Sequence, residues 1–172
     1  MTRLHGLPPI IDTGARVLIL GSFPSTASLA AQQYYAHGRN RFWPILSALL
    51  GQPMAEADYA ARQAAVKAVG LAIWDVFACC EREGSLDAAI RNGQPNDFAA
   101  LRQTAANLAH ICFNGQTAGR FAGQARSQGF ETRVLPSTSP ANASWSFERT
   151  LVAWREGLAP ALSNYLPAGG GR

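Results

Sequence analysis

The chain has 172 residues, enough for one domain that buries its core without a disulfide or metal. Charged residues make up only 15%, against about 25% in a typical domain, and they leave a net +4 from 15 Lys and Arg against 11 Asp and Glu. There is no apolar run of about 18 residues, so a transmembrane helix is excluded. The start has no charged-then-apolar export pattern, which predicts a cytoplasmic protein.

Lys67 is the single lysine, so the basic excess is arginine. Arginine suits planar contact with phosphate and points towards a polyanionic partner, although alanine- and arginine-rich composition also follows from GC-rich coding. The three cysteines, Cys79, Cys80 and Cys112, form no CxxC pair. They cannot supply a four-cysteine cluster or zinc site and are expected reduced and partly buried.

The first predicted strand is Val17 to Leu20, followed by the turn Gly21-Ser22-Phe23-Pro24-Ser25. Residues 26–41 are too polar for core and too long for an ordinary strand-to-helix loop. They hold Tyr34, Tyr35, His37, Arg39, Asn40 and Arg41, the interleaving of aromatics and cations that a base-stacking, phosphate-contacting pocket uses. A helix is predicted from Phe42 to Leu50, stopped by Gly51, with Phe42 and Trp43 in the core. A second runs from Tyr59 to Val69, ended by Gly70.

The second strand, Leu71 to Trp74, delivers Asp75 at its end. Asp75 is read either as a base-edge acceptor or general base, or as a turn or cap residue. Asn96 is expected to cap a helix from Asp97 to Leu108. A third strand, Ile111 to Phe113, ends at Asn114-Gly115, read as a turn. One helix is predicted over Thr117 to Ser127, then a fourth strand, Thr132 to Leu135. The loop Pro136-Ser137-Thr138-Ser139-Pro140-Ala141-Asn142 offers hydroxyls and N–H groups suited to a phosphate backbone. A last helix is expected from Ser146 to Leu166, kinked or divided at Pro160, with a frayed tail over 167–172. Strands alternating with helices give an α/β chain with a parallel sheet, whose ligands bind at the carboxyl ends of the strands. One domain is expected over residues 1–166.

The set Gly21-Ser22-Phe23-Pro24-Ser25, Tyr35-Ala36-His37, Asn40-Arg41-Phe42-Trp43 and Leu135 to Asn142 resembles the hypoxanthine-DNA glycosylases, a branch of the uracil-DNA glycosylase superfamily. The resemblance covers roughly residues 15 to 160. It implies a three-layer sandwich with a four-stranded parallel sheet flanked by helices. It also implies hydrolysis of the N-glycosidic bond of a deaminated base, mainly hypoxanthine, in single- or double-stranded DNA. No metal or cofactor is implied, the base is flipped out of the duplex, and an abasic site remains. The protein is expected to be a monomer that meets DNA at the nucleoid.

The resemblance assigns roles position by position. Mismatch-specific relatives carry a water-positioning asparagine where this chain has Phe23. In the hypoxanthine branch that role moves to the position of Asn40, the expected catalytic residue. Gly21, Ser22, Phe23, Tyr35 and His37 are expected at the base, with Asp75 or Asn114 reading its edge. Ser25, Arg39, Arg41, Ser137, Thr138, Ser139, Pro140, Ala141 and Asn142 are expected on DNA. Uracil enzymes of the superfamily begin the last block with a catalytic histidine, where this chain has Leu135. Gly38 stands where the family often has proline. The alternatives are a uracil or G/U mismatch glycosylase of the same superfamily and a non-catalytic DNA-binding module. A nucleotide-binding enzyme is disfavoured by the lack of GxGxxG and of a P-loop lysine.

Overall fold

The computed structural model describes residues 2–162. The tail expected over 167–172, and the last expected turns of the final helix, lie outside them. Four strands form the central sheet: β2 (Val17–Gly21), β3 (Leu71–Asp75), β6 (His110–Asn114) and β7 (Glu131–Leu135). Their order is β3-β2-β6-β7 and every pairing is parallel. Val17, Leu18, Ile19 and Leu20 are all fully buried, as their unbroken apolar run requires.

Alternation along β2 divides the core into two. Val17 and Ile19 face a cluster with Phe42, Leu46 and Trp154, and Leu18 and Leu20 face one with Phe98, Leu108 and Phe113. Each such side chain contributes about 1.5–3 kcal/mol through burial. The first cluster is covered by α2 (Phe42–Leu50), α3 (Tyr59–Ala68) and α6 (Phe147–Leu162). The second is covered by a 3-10 segment, Phe98–Gln103, and by α4 (Gln116–Gly119) and α5 (Ala122–Ser127). These are the three expected layers.

Several local expectations are corrected. Residues 26–41 are not all loop, because α1 (Thr26–Ala31) forms there, capped by Ser25, whose Oγ accepts from Ser28 N at 3.1 Å. The helix expected from Asp97 to Leu108 is the short 3-10 segment. Asp97, not Asn96, caps it, and i→i+3 bonds close its end, such as Thr104 N to Leu101 O. Thr104 and Asn107 are poor helix formers, and the segment stops there. The helix expected over Thr117 to Ser127 is split into α4 and α5. Gly119 lies against β7, where a Cβ would sit 2.8 Å from Val134 Cγ1. Helix α6 runs through Pro160 to Leu162, the last described residue, rather than dividing at the proline.

A second sheet was not expected. Strands β1 (Arg3–His5), β4 (Phe77–Glu81) and β5 (Arg91–Pro95) pair antiparallel in the order β1-β4-β5. The link from β3 to β4 is the single residue Val76, whose N–H donates to Gly21 O at 2.8 Å. The second sheet therefore hangs directly from the carboxyl end of the first.

Candidate active site

A cavity of about 410 Å³ opens at the carboxyl ends of the parallel strands. Gly21 from β2, Asp75 from β3, Asn114 from β6 and Leu135 from β7 all line it. The parallel sheet thus brings together residues up to 114 positions apart in the chain (135 − 21). Loops 21–25, 85–87, 114–117 and 135–139 complete the wall with Tyr35, Asn40, Ala141, Asn142 and Trp145.

Asp75 is the unusual group. It is 5% exposed, and its Oδ2 is buried without a hydrogen-bond partner among the described residues. A buried polar atom left unpaired costs about 1–3 kcal/mol, and more when charged. Burial, reinforced by the Asp87 carboxylate and opposed by the Arg82 guanidinium, pushes the Asp75 carboxyl up to about 7. The backbone holds it firmly, since Asn96 Nδ2 donates to Asp75 O at 2.9 Å. That is the use to which the expected helix cap is put.

Gly21 is required by this arrangement. A Cβ there would lie 2.5 Å from Asp75 Oδ1 and 2.9 Å from the Tyr35 hydroxyl. Tyr35 itself has a φ of 55°, rare for a bulky residue and characteristic of functional sites. Its ring stacks on Phe42 with centroids 3.8 Å apart and planes at 17°. Burial keeps its hydroxyl protonated far above the usual tyrosine range.

Asn114 is not a spare amide. Its Oδ1 accepts from Thr138 N at 3.0 Å, and its Nδ2 donates to Thr138 Oγ1 at 3.0 Å and to the Tyr35 hydroxyl at 3.3 Å. Both amide protons are committed, so Asn114 fastens the last loop to β6 and orients Tyr35. Thr138, expected on DNA, is fully buried by the same contacts. Gly115, at φ 98°, lets the chain pass Ser137, whose Cβ a side chain would approach to 3.1 Å.

Asn40 is half-buried and lines the cavity. Its Oδ1 accepts from Phe42 N at 2.9 Å, which fixes the amide at the start of α2. Its Nδ2 makes no hydrogen bond to the described residues. Phe23, Ser22 and Ser25 also line the cavity, and Phe23 is buried beneath the Arg82 guanidinium at 5.2 Å.

Other expected site residues are placed elsewhere. His37 is exposed, does not line the cavity, and accepts from Arg39 N at 3.1 Å through Nδ1. That bond braces the loop. Arg41 is half-buried and donates from Nη1 to Trp145 O at 2.6 Å. Arg39 and Pro140 are exposed beside the cavity, not in it. Ser137, Ser139, Ala141 and Asn142 do line it, and the loop is stiffened internally: Ser139 N donates to Ser137 Oγ and Asn142 Nδ2 to Ser137 O, both at 3.1 Å.

Three features had no signal in the sequence. Trp145 lines the cavity with the Arg149 guanidinium 3.7 Å from its ring centroid. Residues 85–87 arrive from the loop between β4 and β5. Asp87 accepts from Ser22 Oγ at 2.6 Å. No group of three or more His, Cys, Asp or Glu among the described residues is placed to hold a metal ion.

The family model of the uracil DNA glycosylase superfamily matches residues 8–159. A hypoxanthine DNA glycosylase of Methanosarcina barkeri is 37% identical over 160 residues, covering 93% of this chain and 98% of that protein. One from Methanosarcina acetivorans is 39% identical over 145 residues, covering 84% and 92%. The solution NMR structure of a candidate uracil DNA glycosylase from Methanosarcina acetivorans superposes with a TM-score of 0.80 at 35% identity, over 90% of this chain and 98% of that one. A parallel sheet whose four carboxyl ends build one cavity, matched by a family model over most of the sequence, leads to one assignment: the chain belongs to the uracil DNA glycosylase superfamily.

Proposed function

We infer that this protein is a DNA glycosylase that removes deaminated bases, hypoxanthine above all, by hydrolysing the N-glycosidic bond and leaving an abasic site. Relatives of that name match over most of the chain. The observation that carries the choice of base is the unpartnered Oδ2 of Asp75, buried in the cavity wall. When ionised, it accepts the N1–H of a flipped hypoxanthine. Adenine presents a bare acceptor at N1 and is repelled, because two acceptors would face each other in a dry site.

Tyr35, backed by Phe42, offers its other face for stacking on the base. Asn40 acts at the sugar. Its free Nδ2 donates to the attacking water and positions it, while Oδ1 stays on Phe42 N. The water oxygen bonds to C1′, the C1′–N9 bond breaks, and its electron pair leaves with the base. The water's proton ends on the departing purine. Leu135, buried at 4% exposure, offers no proton or hydrogen bond to a leaving group. That weighs against a uracil-type mechanism and favours a purine, whose ring nitrogens accept a proton.

DNA is the macromolecular substrate, single- or double-stranded. No helix among the described residues is long and apolar enough to cross a membrane. The test is a panel of duplexes carrying one deoxyinosine, deoxyuridine, deoxyxanthosine or unmodified deoxyadenosine. Alkali-labile breaks are expected first and fastest at deoxyinosine. No break there, at low salt and excess protein, overturns the reading. Faster cleavage at deoxyuridine instead establishes the uracil alternative.

A further inference from the structure

Leu86 is 62% exposed, the most exposed large apolar side chain among the described residues. A lone surface leucine needs no explanation elsewhere, but this one stands on the rim of the cavity. It is also held there from both sides. Ser85 Oγ accepts from Thr26 N at 3.0 Å and lies 2.8 Å from Thr26 Oγ1. Asp87 accepts from Ser22 Oγ at 2.6 Å. Arg82 donates to Gly84 O at 2.8 Å and to Pro24 O at 2.7 Å, tying the same loop to the turn after β2. Leu86 therefore sits exposed on an anchored loop.

The loop's chemistry narrows what it touches. Residues 83–87 contain Glu83 and Asp87 and no cation, and Arg82 is buried. Such a loop is repelled by phosphates, so its apolar tip belongs against bases. Elsewhere on the cavity's edge, the 137–142 loop offers only Pro140 and Ala141 as exposed apolar groups. These fill poorly the gap that a flipped nucleotide leaves. Apolar side chains inserted between base steps offset the cost of unstacking.

We propose that Leu86 is the wedge that enters the duplex base stack while the target nucleotide occupies the cavity. The proposal rests on the glycosylase reading above. It is tested by single-turnover release of hypoxanthine from matched single-stranded and duplex oligonucleotides, using wild type, Leu86→Ala and Leu86→Met. A wedge matters only where a stack must be opened. Leu86→Ala should slow release from duplex by about tenfold or more and leave the single strand within about twofold. Leu86→Met, similar in length and apolar, should stay near wild type on both. A 2-aminopurine beside the deoxyinosine should brighten on binding wild type and remain quenched with Leu86→Ala. Equal losses on both substrates, or no loss on either, overturn the wedge. Absence of release by the wild-type protein from both substrates overturns the glycosylase reading instead, so the two failures are separable.

Discussion

Replacing Asp75 by asparagine should make the protein more stable at neutral and alkaline pH, while weakening its choice of base. Asp75 is 5% exposed, and its carboxyl is pushed from 3.8 up to about 7, chiefly by burial and then by Asp87. At about 1.36 kcal/mol per pH unit, holding it ionised in the fold costs about 4 kcal/mol at most. The sign is set by proton binding. Between pH 3.8 and about 7 the folded protein binds more protons at this site than the unfolded chain does. This group's contribution is therefore most favourable below pH 3.8 and is lost as pH rises through about 7. The Asp75→Asn variant carries no such charge. Its advantage over wild type should be near zero in acid, grow across that window, and level off above pH 7. Urea unfolding of both proteins at a series of pH values measures it. A stability difference that does not change with pH, or one that grows towards acid, refutes the reasoning.

The same carboxyl predicts a pH-dependent choice of ligand. Protonated Asp75 can donate to N1 of adenine, so free adenine should inhibit below about pH 6 and lose that ability above about pH 8, as read from competition against a deoxyinosine duplex. Gly21→Ala should abolish measurable turnover with the fold kept, checked by release assays beside circular dichroism, because its Cβ would meet Asp75 Oδ1 at 2.5 Å. Asn40→Ala should lower single-turnover release by about 100-fold or more with duplex binding retained, and cost about 1 kcal/mol in unfolding experiments through loss of the bond to Phe42 N. Arg149 is exposed over the ring of the cavity-lining Trp145 and is expected to meet a phosphate, so Arg149→Ala should weaken binding to modified and unmodified DNA alike and reduce the slope of log affinity against log salt by about one, as measured by fluorescence anisotropy. A change confined to deoxyinosine DNA would remove Arg149 from the phosphate contacts.

Three of the four parallel strands were legible because a strand buried on both faces must be apolar throughout, as Val17 to Leu20 and Ile111 to Phe113 are, whereas β7 (Glu131–Leu135) is polar at its start and mostly exposed. The second sheet was not. Arg91–Pro95 is polar and mostly exposed, and it pairs because Phe77–Glu81 presents an open edge, not because its own sequence favours a strand. Gly93 helps, since a Cβ there would strike the Phe77 ring at 2.6 Å. Short helices were missed or overextended for the same reason. Ser25 and Asp97 act as caps, but packing against the sheet sets how far the capped segments run.

By itself, the sequence determined the parallel α/β scaffold and put Gly21, Asp75 and Asn114 at strand ends, where the cavity opens. These depend on local apolar runs and on the turn residues that end them. It could not distribute roles among them. Asn114 and Asp75 looked equivalent as base readers until the folded chain placed Thr138 and Tyr35 around the Asn114 amide and left Asp75 Oδ2 unpaired. The fold leaves His37 exposed and bonds Arg41 Nη1 to Trp145 O, which the sequence did not foretell. Leu86 gave no signal at all. Hydrogen-bond capacity is finite and is consumed by whichever partners the tertiary structure brings within about 3 Å. Which polar group remains free for a substrate is therefore a property of the whole fold.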